Sequence, residues 1–299
     1  MSDGPVTEWF GEAPEHGFRQ LFGVREELLH TRSAYQDMRV LDTVPFGRML
    51  VLDGAVQTTE ADEFIYHEML VHVPLLHVTH PQDVLIIGGG DGGALRRVLA
   101  HGVAKATMVE IDEQVVRVSR EYLPTVAAGA FDDPRAHVVF GDGAAYLREA
   151  ASESFDAIIV DSTDPVGPAK VLFSADFFAS AYRALRPGGV YVTQVGSPML
   201  LPSELREAYQ GLCTVFPHCR AYLAGIPSYP AVLLGFLMAA KDPFAWATPR
   251  EIQERWEKRG LETGYLTPAL VAAAFVLPGY VQAIISGKDL SQGRFPVVI

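Results

Sequence analysis

The sequence predicts an α/β protein, with a small N-terminal β-rich domain over residues 1–65 and a doubly wound sheet with helices on both faces over residues 66–299. Three observations predict it. Short apolar or β-branched runs, broken by turn residues, fill the first part. Apolar runs alternate with helical stretches in the second. A glycine-rich string follows the first apolar run of that second part.

In the first part, Arg39–Thr43, Gly47–Leu52 and Ala55–Thr58 are separated by Pro45, Gly47 and Asp53-Gly54, the pattern of strands and hairpin turns. No long helical period appears before Asp62. Beyond it, Val84–Ile87 is a continuous apolar run ending in glycines, as in a strand buried on both faces. Gly93–His101 reads as a helix, Ala106–Val109 as a strand and Glu113–Tyr122 as a helix. His137–Phe140, Ala157–Val160 and Val190–Val195 read as strands, with helices over Ala144–Ala150 and Ala175–Leu185. The last of these is capped by Ser174 and stopped by Arg186-Pro187-Gly188-Gly189. Arg220–Leu223 and Val232–Met238 read as a closing hairpin, and 249–258 and 268–275 as helices.

The 299 residues are 49% hydrophobic and 20% charged, an ordinary globular balance. Two cysteines, Cys213 and Cys219, are too few for a disulfide framework and have no metal-site spacing, so they read as free thiols in a reducing compartment. The polar, acidic start lacks a signal peptide's basic and apolar regions, and the longest apolar stretch, Ala231–Ala240, is too short to span a bilayer. A cytoplasmic location without membrane attachment is expected. The net charge of −12 argues against general nucleic-acid binding. It is compatible with a small cationic partner, although for charge considered by itself solubility is the better explanation.

The string Gly88-Gly89-Gly90-Asp91-Gly92-Gly93 lies directly after a predicted strand and opens a predicted helix. Glycines there let the backbone turn sharply and approach a ligand, with Gly88 and Gly90 in the first two glycine positions of the G-x-G-x-x-G pattern. Glu110 ends the next strand, where a carboxylate can accept hydrogen bonds from both ribose hydroxyls. Together they point to a bound nucleoside. A dinucleotide would put its pyrophosphate at the helix start, but Asp91 occupies the loop. Its carboxylate repels phosphate and attracts a cation, which points to a phosphate-free, positively charged adenosyl ligand. Asp142, followed by Gly143, suits a helix N-cap. As a further acid at a strand's C-terminal end, it also suits an adenine amine.

The segment Asp161-Ser162-Thr163-Asp164-Pro165-Val166-Gly167-Pro168 follows a strand at the same end of the sheet. Carboxylates gathered there require a cationic partner or shifted pKa values. An amine substrate meets that need, and one carboxylate can take the proton that an attacking ammonium must lose. Tyr66, His67 and the proline-flanked Tyr229 read either as packing residues or as a cover for the site.

These strings resemble the polyamine aminopropyltransferases, specifically spermidine synthase of the bacterial type. The resemblance rests on Asp53–Glu60, Asp62–Glu68, Val84–Gly93, Val109–Asp112, Asp133–Arg135, Asp161–Pro168, Ile226–Pro230 and Ala273–Pro278, and it covers nearly the whole chain. It implies a methyltransferase-like, Rossmann-like sheet behind the N-terminal β domain, assembled as a homodimer or homotetramer. The co-substrate would be decarboxylated S-adenosylmethionine, the acceptor a small diamine such as putrescine, and the products spermidine and 5′-methylthioadenosine. By the family's motifs, Gln36, Glu110, Asp142, Gly143 and Pro168 line the nucleoside pocket, and Asp91 binds the amine of the aminopropyl arm. Tyr66, His67, Asp161, Asp164, Gln194 and Tyr229 line the acceptor channel, with Asp161 the proton acceptor. No metal is expected, because a sulfonium already provides a good leaving group and the work left is alignment and deprotonation.

The chain departs from the family pattern at Val232 and Leu234, where glycine and a large, often aromatic residue are usual, and at Ala169-Lys170. Two rival readings are a methyltransferase using S-adenosylmethionine and a non-catalytic polyamine-binding relative. Asp91 speaks against the first and the paired Asp161 and Asp164 against the second.

Overall fold

The computed structural model describes residues 4–12, 17–163, 167–242 and 246–288. Five strands come first: β1 (Glu8–Glu12), β2 (Gln20–Arg32), β3 (Asp37–Thr43), β4 (Gly47–Leu52) and β5 (Ala55–Thr59). They pair antiparallel in sequence order. One face buries Phe10, Phe22, Leu41, Met49 and Val51. The other buries Met38, Val40 and Leu50 against Val115, Val118, Leu123 and Val126. A sheet apolar on both faces needs a second layer, and the second half of the chain provides it.

Helix α1 (Glu63–His77) leads into that half. The division at residue 65 read from the sequence falls in its first turns. Every residue from Tyr66 to His77 is buried, so the helix has no polar stripe and no 3.6-residue period to read. Its end is bound by Arg259, whose guanidinium donates to the carbonyls of Leu75, Val78 and Thr79.

The second sheet contains β6 (Asp83–Gly88), β7 (Lys105–Glu110), β8 (Ala136–Phe140), β9 (Phe155–Asp161), β10 (Leu185–Gln194), β11 (His218–Gly225) and β12 (Leu233–Ala240). Its order is β11-β12-β10-β9-β6-β7-β8, with β10 through β8 parallel and β11 and β12 antiparallel at one edge. The connecting helices are α2 (Gly93–Leu99), α3 (Glu113–Tyr122), α4 (Pro124–Ala127), α5 (Gly143–Glu149), α6 (Ala175–Ala184) and α7 (Pro202–Val215), followed by α8 (Pro249–Arg259), α9 (Pro268–Ala273) and α10 (Gly279–Ile285). One apolar core lies between the sheet and α1, α2 and α8. The other lies between the opposite face and α5, α6, α7 and α10. Such burial contributes about 1.5–3 kcal/mol per large side chain. The strand order reverses between β6 and β9, and a crevice at the carboxyl ends of the strands follows from that reversal.

Candidate active site

The glycine string forms the turn from β6 into α2 at this crevice. Gly88 has φ +83°, and a Cβ there would fall 2.0 Å from the Asp161 carbonyl oxygen. That oxygen instead accepts the Gly89 N–H at 2.9 Å. The turn therefore lies against the end of β9, where only glycine fits. A Cβ on Gly93 would fall 2.1 Å from Cε1 of His67, so α2 starts flush against that imidazole.

Asp91 projects from the turn. Its Oδ1 accepts the Gly93 N–H at 2.9 Å, and its Oδ2 lies 3.4 Å from His67 Nε2. Burial would raise its pKa, but the neighbouring His67 charge and the Gly93 N–H outweigh it, so Asp91 is held below the usual carboxylate range. His67 Nδ1 bonds Glu63 Oε2 at 2.7 Å, and Arg97 donates to Glu63 Oε1 at 3.2 Å. Burial works against the imidazolium, yet Asp91 and Glu63 together raise His67 to about 10.

Asp161 ends β9. The Tyr66 hydroxyl donates to its Oδ1 at 2.7 Å. Its Oδ2 is buried without a hydrogen-bond partner among the described residues. Burial and the Asp91 charge push the carboxyl up to about 6, against the pull of His67 and Tyr66. Tyr66 lies on α1 with its ring 5.7 Å from that of Tyr229 and 5.9 Å from that of Phe236.

His67 Nε2 and oxygens of Asp91 and Asp161 lie within 4.8 Å of one another. A metal there would need a lone pair on Nε2, whereas the flanking Asp91 and Glu63 carboxylates favour the protonated ring.

On the other side of the turn, Glu110 ends β7, buried, with its Oε1 accepting the Asp112 N–H at 2.9 Å. Burial pushes its carboxyl up to about 7. The Gln36 amide donates to Asp112 Oδ2 at 2.9 Å, beside the Ser33 hydroxyl on the same oxygen at 2.6 Å. Asp142 is the N-cap of α5, accepting from Ala144 and Ala145. Gly143 is buried, and a Cβ there would meet Ile87 at 2.4 Å. Gly90 passes close to Val115 and Glu110. Gln194 ends β10, its amide donating to the Ser162 carbonyl at 2.8 Å and its oxygen accepting the Gly196 N–H at 2.7 Å. It thus braces the backbone that follows Asp161. Pro168 falls in a short 3₁₀ turn, Gly167–Phe173. Asp164 lies outside the described residues.

Tyr229 sits in the turn between β11 and β12, its hydroxyl donating to the Gln57 carbonyl at 2.6 Å. Ala231 and Val232 follow in left-handed conformations, φ +57° and +63°. Two further residues that sequence reading missed hold this turn. Asp62 accepts from the Ser228 N–H and hydroxyl at 2.8 and 2.9 Å. Gln20 donates to the carbonyls of Pro227 and Ser228. Glu63 and Arg97 were missed as well. The only available signal was the four-residue spacing of Glu63 and His67, readable once α1 is known to be a helix.

An open sheet with a glycine turn, a buried acid at the next strand end and further carboxylates at its neighbour makes this a Rossmann-like α/β protein with an acidic crevice. The spermine/spermidine synthase domain matches residues 63–247, and the spermidine synthase tetramerisation domain matches residues 8–60. The chain belongs to the spermine/spermidine synthase family. It is 44% identical over 277 residues to a polyamine aminopropyltransferase of Thermoanaerobacter sp. (strain X514), covering 92% of this chain and 98% of the relative. To that of Desulforudis audaxviator it is 46% identical, covering 91% and 97%. Its fold matches spermidine synthase from Thermotoga maritima with a TM-score of 0.87 at 33% identity, covering 95% of this chain and 96% of that one. It also matches a spermidine synthase in complex with the transition-state analogue AdoDATO, with a TM-score of 0.89 at 34% identity, covering 95% and 97%. The chain is an enzyme of the spermidine synthase type.

Proposed function

We propose that the enzyme moves the aminopropyl group of decarboxylated S-adenosylmethionine to a diamine, putrescine before longer amines, releasing spermidine and 5′-methylthioadenosine. The observation that carries this reading is the pair of half-buried carboxylates, Asp91 and Asp161, one of which keeps an oxygen without a partner among the described residues. Two acids at the ends of adjacent strands, beside a cradle with room only for glycine, fit a doubly cationic ligand set and disfavour phosphate.

In this reading Glu110 holds the ribose, with Gln36 acting through Asp112 as well as at the pocket. Asp142 and Gly143 border the base together with Pro168. Asp91 takes the ammonium of the aminopropyl arm. Tyr66, His67, Asp164, Gln194 and Tyr229 line the acceptor side. The acceptor nitrogen attacks the methylene carbon next to sulfur. As the C–N bond forms, the C–S bond breaks and its electron pair neutralises the sulfonium. Asp161 receives the nitrogen's proton. The match of residues 8–60 to a tetramerisation domain supports a homo-oligomer, dimer or tetramer. Among the described residues no helix is long and apolar enough to cross a membrane, which is compatible with a cytoplasmic enzyme. Residues 1–65 and 66–299 would then act as an assembly domain and a catalytic domain.

Purified protein incubated with putrescine and either decarboxylated or intact S-adenosylmethionine tests this reading. Methylthioadenosine and spermidine are expected from the first mixture only. Methylated amine from the second, or no product with any amine, would overturn it.

A further inference from the structure

The Glu63–Arg97 pair has no part in the transfer described above. Both residues are buried, and Glu63 joins the site through its bond to His67. We propose that Glu63, held by Arg97, is a positioning residue that fixes the His67 ring with Nε2–H turned toward Asp91 and Asp161, and that this fixed cation keeps Asp161 ionised so that it can take the acceptor's proton.

The geometry leaves the ring one arrangement. Its face meets Gly93, where no Cβ fits. Its edge meets Tyr66, with ring centroids 5.0 Å apart at 77°. Nδ1 is occupied by Glu63 Oε2 at 2.7 Å. Nε2 is buried without a hydrogen-bond partner among the described residues, 3.4 Å from Asp91 Oδ2 and 4.0 Å from Asp161 Oδ2. A lone pair on Nε2 would face two carboxylates and be repelled. A proton there is attracted to both.

The charged and titratable groups around the ring are Glu63 and Tyr66 on α1, Arg96 and Arg97 on α2, Asp91 on the glycine turn and Asp161 on β9. Glu110 faces Asp161 from β7. Arg97 balances Glu63, and the imidazolium balances Asp91. The same fixed cation, 4.0 Å from Asp161 Oδ2, opposes the burial and the Asp91 charge that would otherwise keep Asp161 protonated, so the carboxylate stays ionised and ready to take the acceptor's proton. Without the Glu63 charge the ring loses its proton more readily. Asp161 then keeps its own proton to higher pH and cannot receive the amine's.

This inference rests on the proposed aminopropyl transfer, and its test separates the two. The variants are Glu63→Gln and the double variant Glu63→Gln/Arg97→Met, which avoids stranding a buried guanidinium. Ring protonation of His67 is followed by NMR in the protein without substrate. The ring is expected to stay doubly protonated above neutral pH in the parent and to titrate at least about one pH unit lower in the variants. With putrescine, the acid limb of kcat is expected to move up by roughly one pH unit, with kcat at neutral pH down roughly tenfold and no rise in acceptor KM. An unmoved ring titration overturns the lock. An unmoved acid limb, or a matched loss in kcat and rise in KM, reduces Glu63 to a structural residue and overturns the proposal. If neither variant folds, His67→Asn keeps a donor to Glu63 without the charge. It must shift the acid limb in the same way, and a limb that stays put overturns the proposal. Absence of turnover in the parent would sink the aminopropyl reading, while the ring titration would still decide the lock.

Discussion

Asp161→Asn separates catalysis from architecture at one atom. The parent carboxyl accepts the Tyr66 hydroxyl on Oδ1, and its buried Oδ2 has no partner among the described residues. Asparagine keeps the first bond and replaces the second oxygen with an NH₂ group that accepts no proton. The backbone carbonyl that receives Gly89 N–H is untouched, so the glycine turn should keep its shape. Loss of a positioned base costs about 10²–10⁴ in rate. A second effect runs the other way. Raising a buried carboxyl from 3.8 to about 6 means the folded state binds the proton more tightly than the unfolded chain. Stability therefore falls as pH rises from about 4 through 6 and stays lowered above that. Relieving a shift of about two units is worth on the order of 2–3 kcal/mol at neutral pH. The variant should be nearly inactive, bind methylthioadenosine within about threefold of the parent, and melt higher at pH 7.5 but not at pH 4. Rates come from chromatographic methylthioadenosine assays, affinity from calorimetry, and melting from scanning calorimetry. Turnover within tenfold of the parent, or lost methylthioadenosine binding, would refute the proton-acceptor role. An unchanged melting temperature at neutral pH would refute the electrostatic account.

Asp91→Asn should weaken binding of the aminopropyl co-substrate about tenfold or more while sparing methylthioadenosine, measured by calorimetry on both ligands; equal effects on the two would remove Asp91 from the arm site. Glu110, pushed up to about 7 by burial, accepts ribose hydroxyls best when ionised, so methylthioadenosine affinity should rise between pH 6 and 8. A flat profile in titration calorimetry would contradict that role. Val232 holds φ +63° with a β-branched side chain, and Val232→Gly should stabilise the fold by about 1 kcal/mol, the left-handed strain relieved less the added chain entropy. A lower melting temperature would show that the turn is unstrained.

The nucleoside side was legible because its residues follow strands directly: Gly88–Gly93 and Glu110 could be placed from the ends of apolar runs alone. The N-cap role of Asp142 was legible, and the structure displays that geometry. The acceptor side was less legible. α1 is buried all round, so no periodicity announced the helix that aligns Glu63, Tyr66 and His67. The pairs Glu63–Arg97 and Asp62–Ser228 lie 34 and 166 residues apart in sequence. Only the folded chain brings such partners together. Gln36 was read as a pocket residue, yet its amide is committed to Asp112, a pairing across 76 residues that composition cannot reveal.

The turn carrying Tyr229 belongs by sequence to the second sheet, but Asp62, Gln57 and Gln20 fasten it from the segment around the first. If Tyr229 lines the acceptor side as proposed, one wall of that site is suspended from the sheet that matches the tetramerisation domain. A chain trimmed to its larger sheet would keep the cradle for the nucleoside and lose the ceiling over the amine. By the same linkage, a neighbouring subunit that tilts the small sheet would act as a lever on acceptor choice without touching the amine.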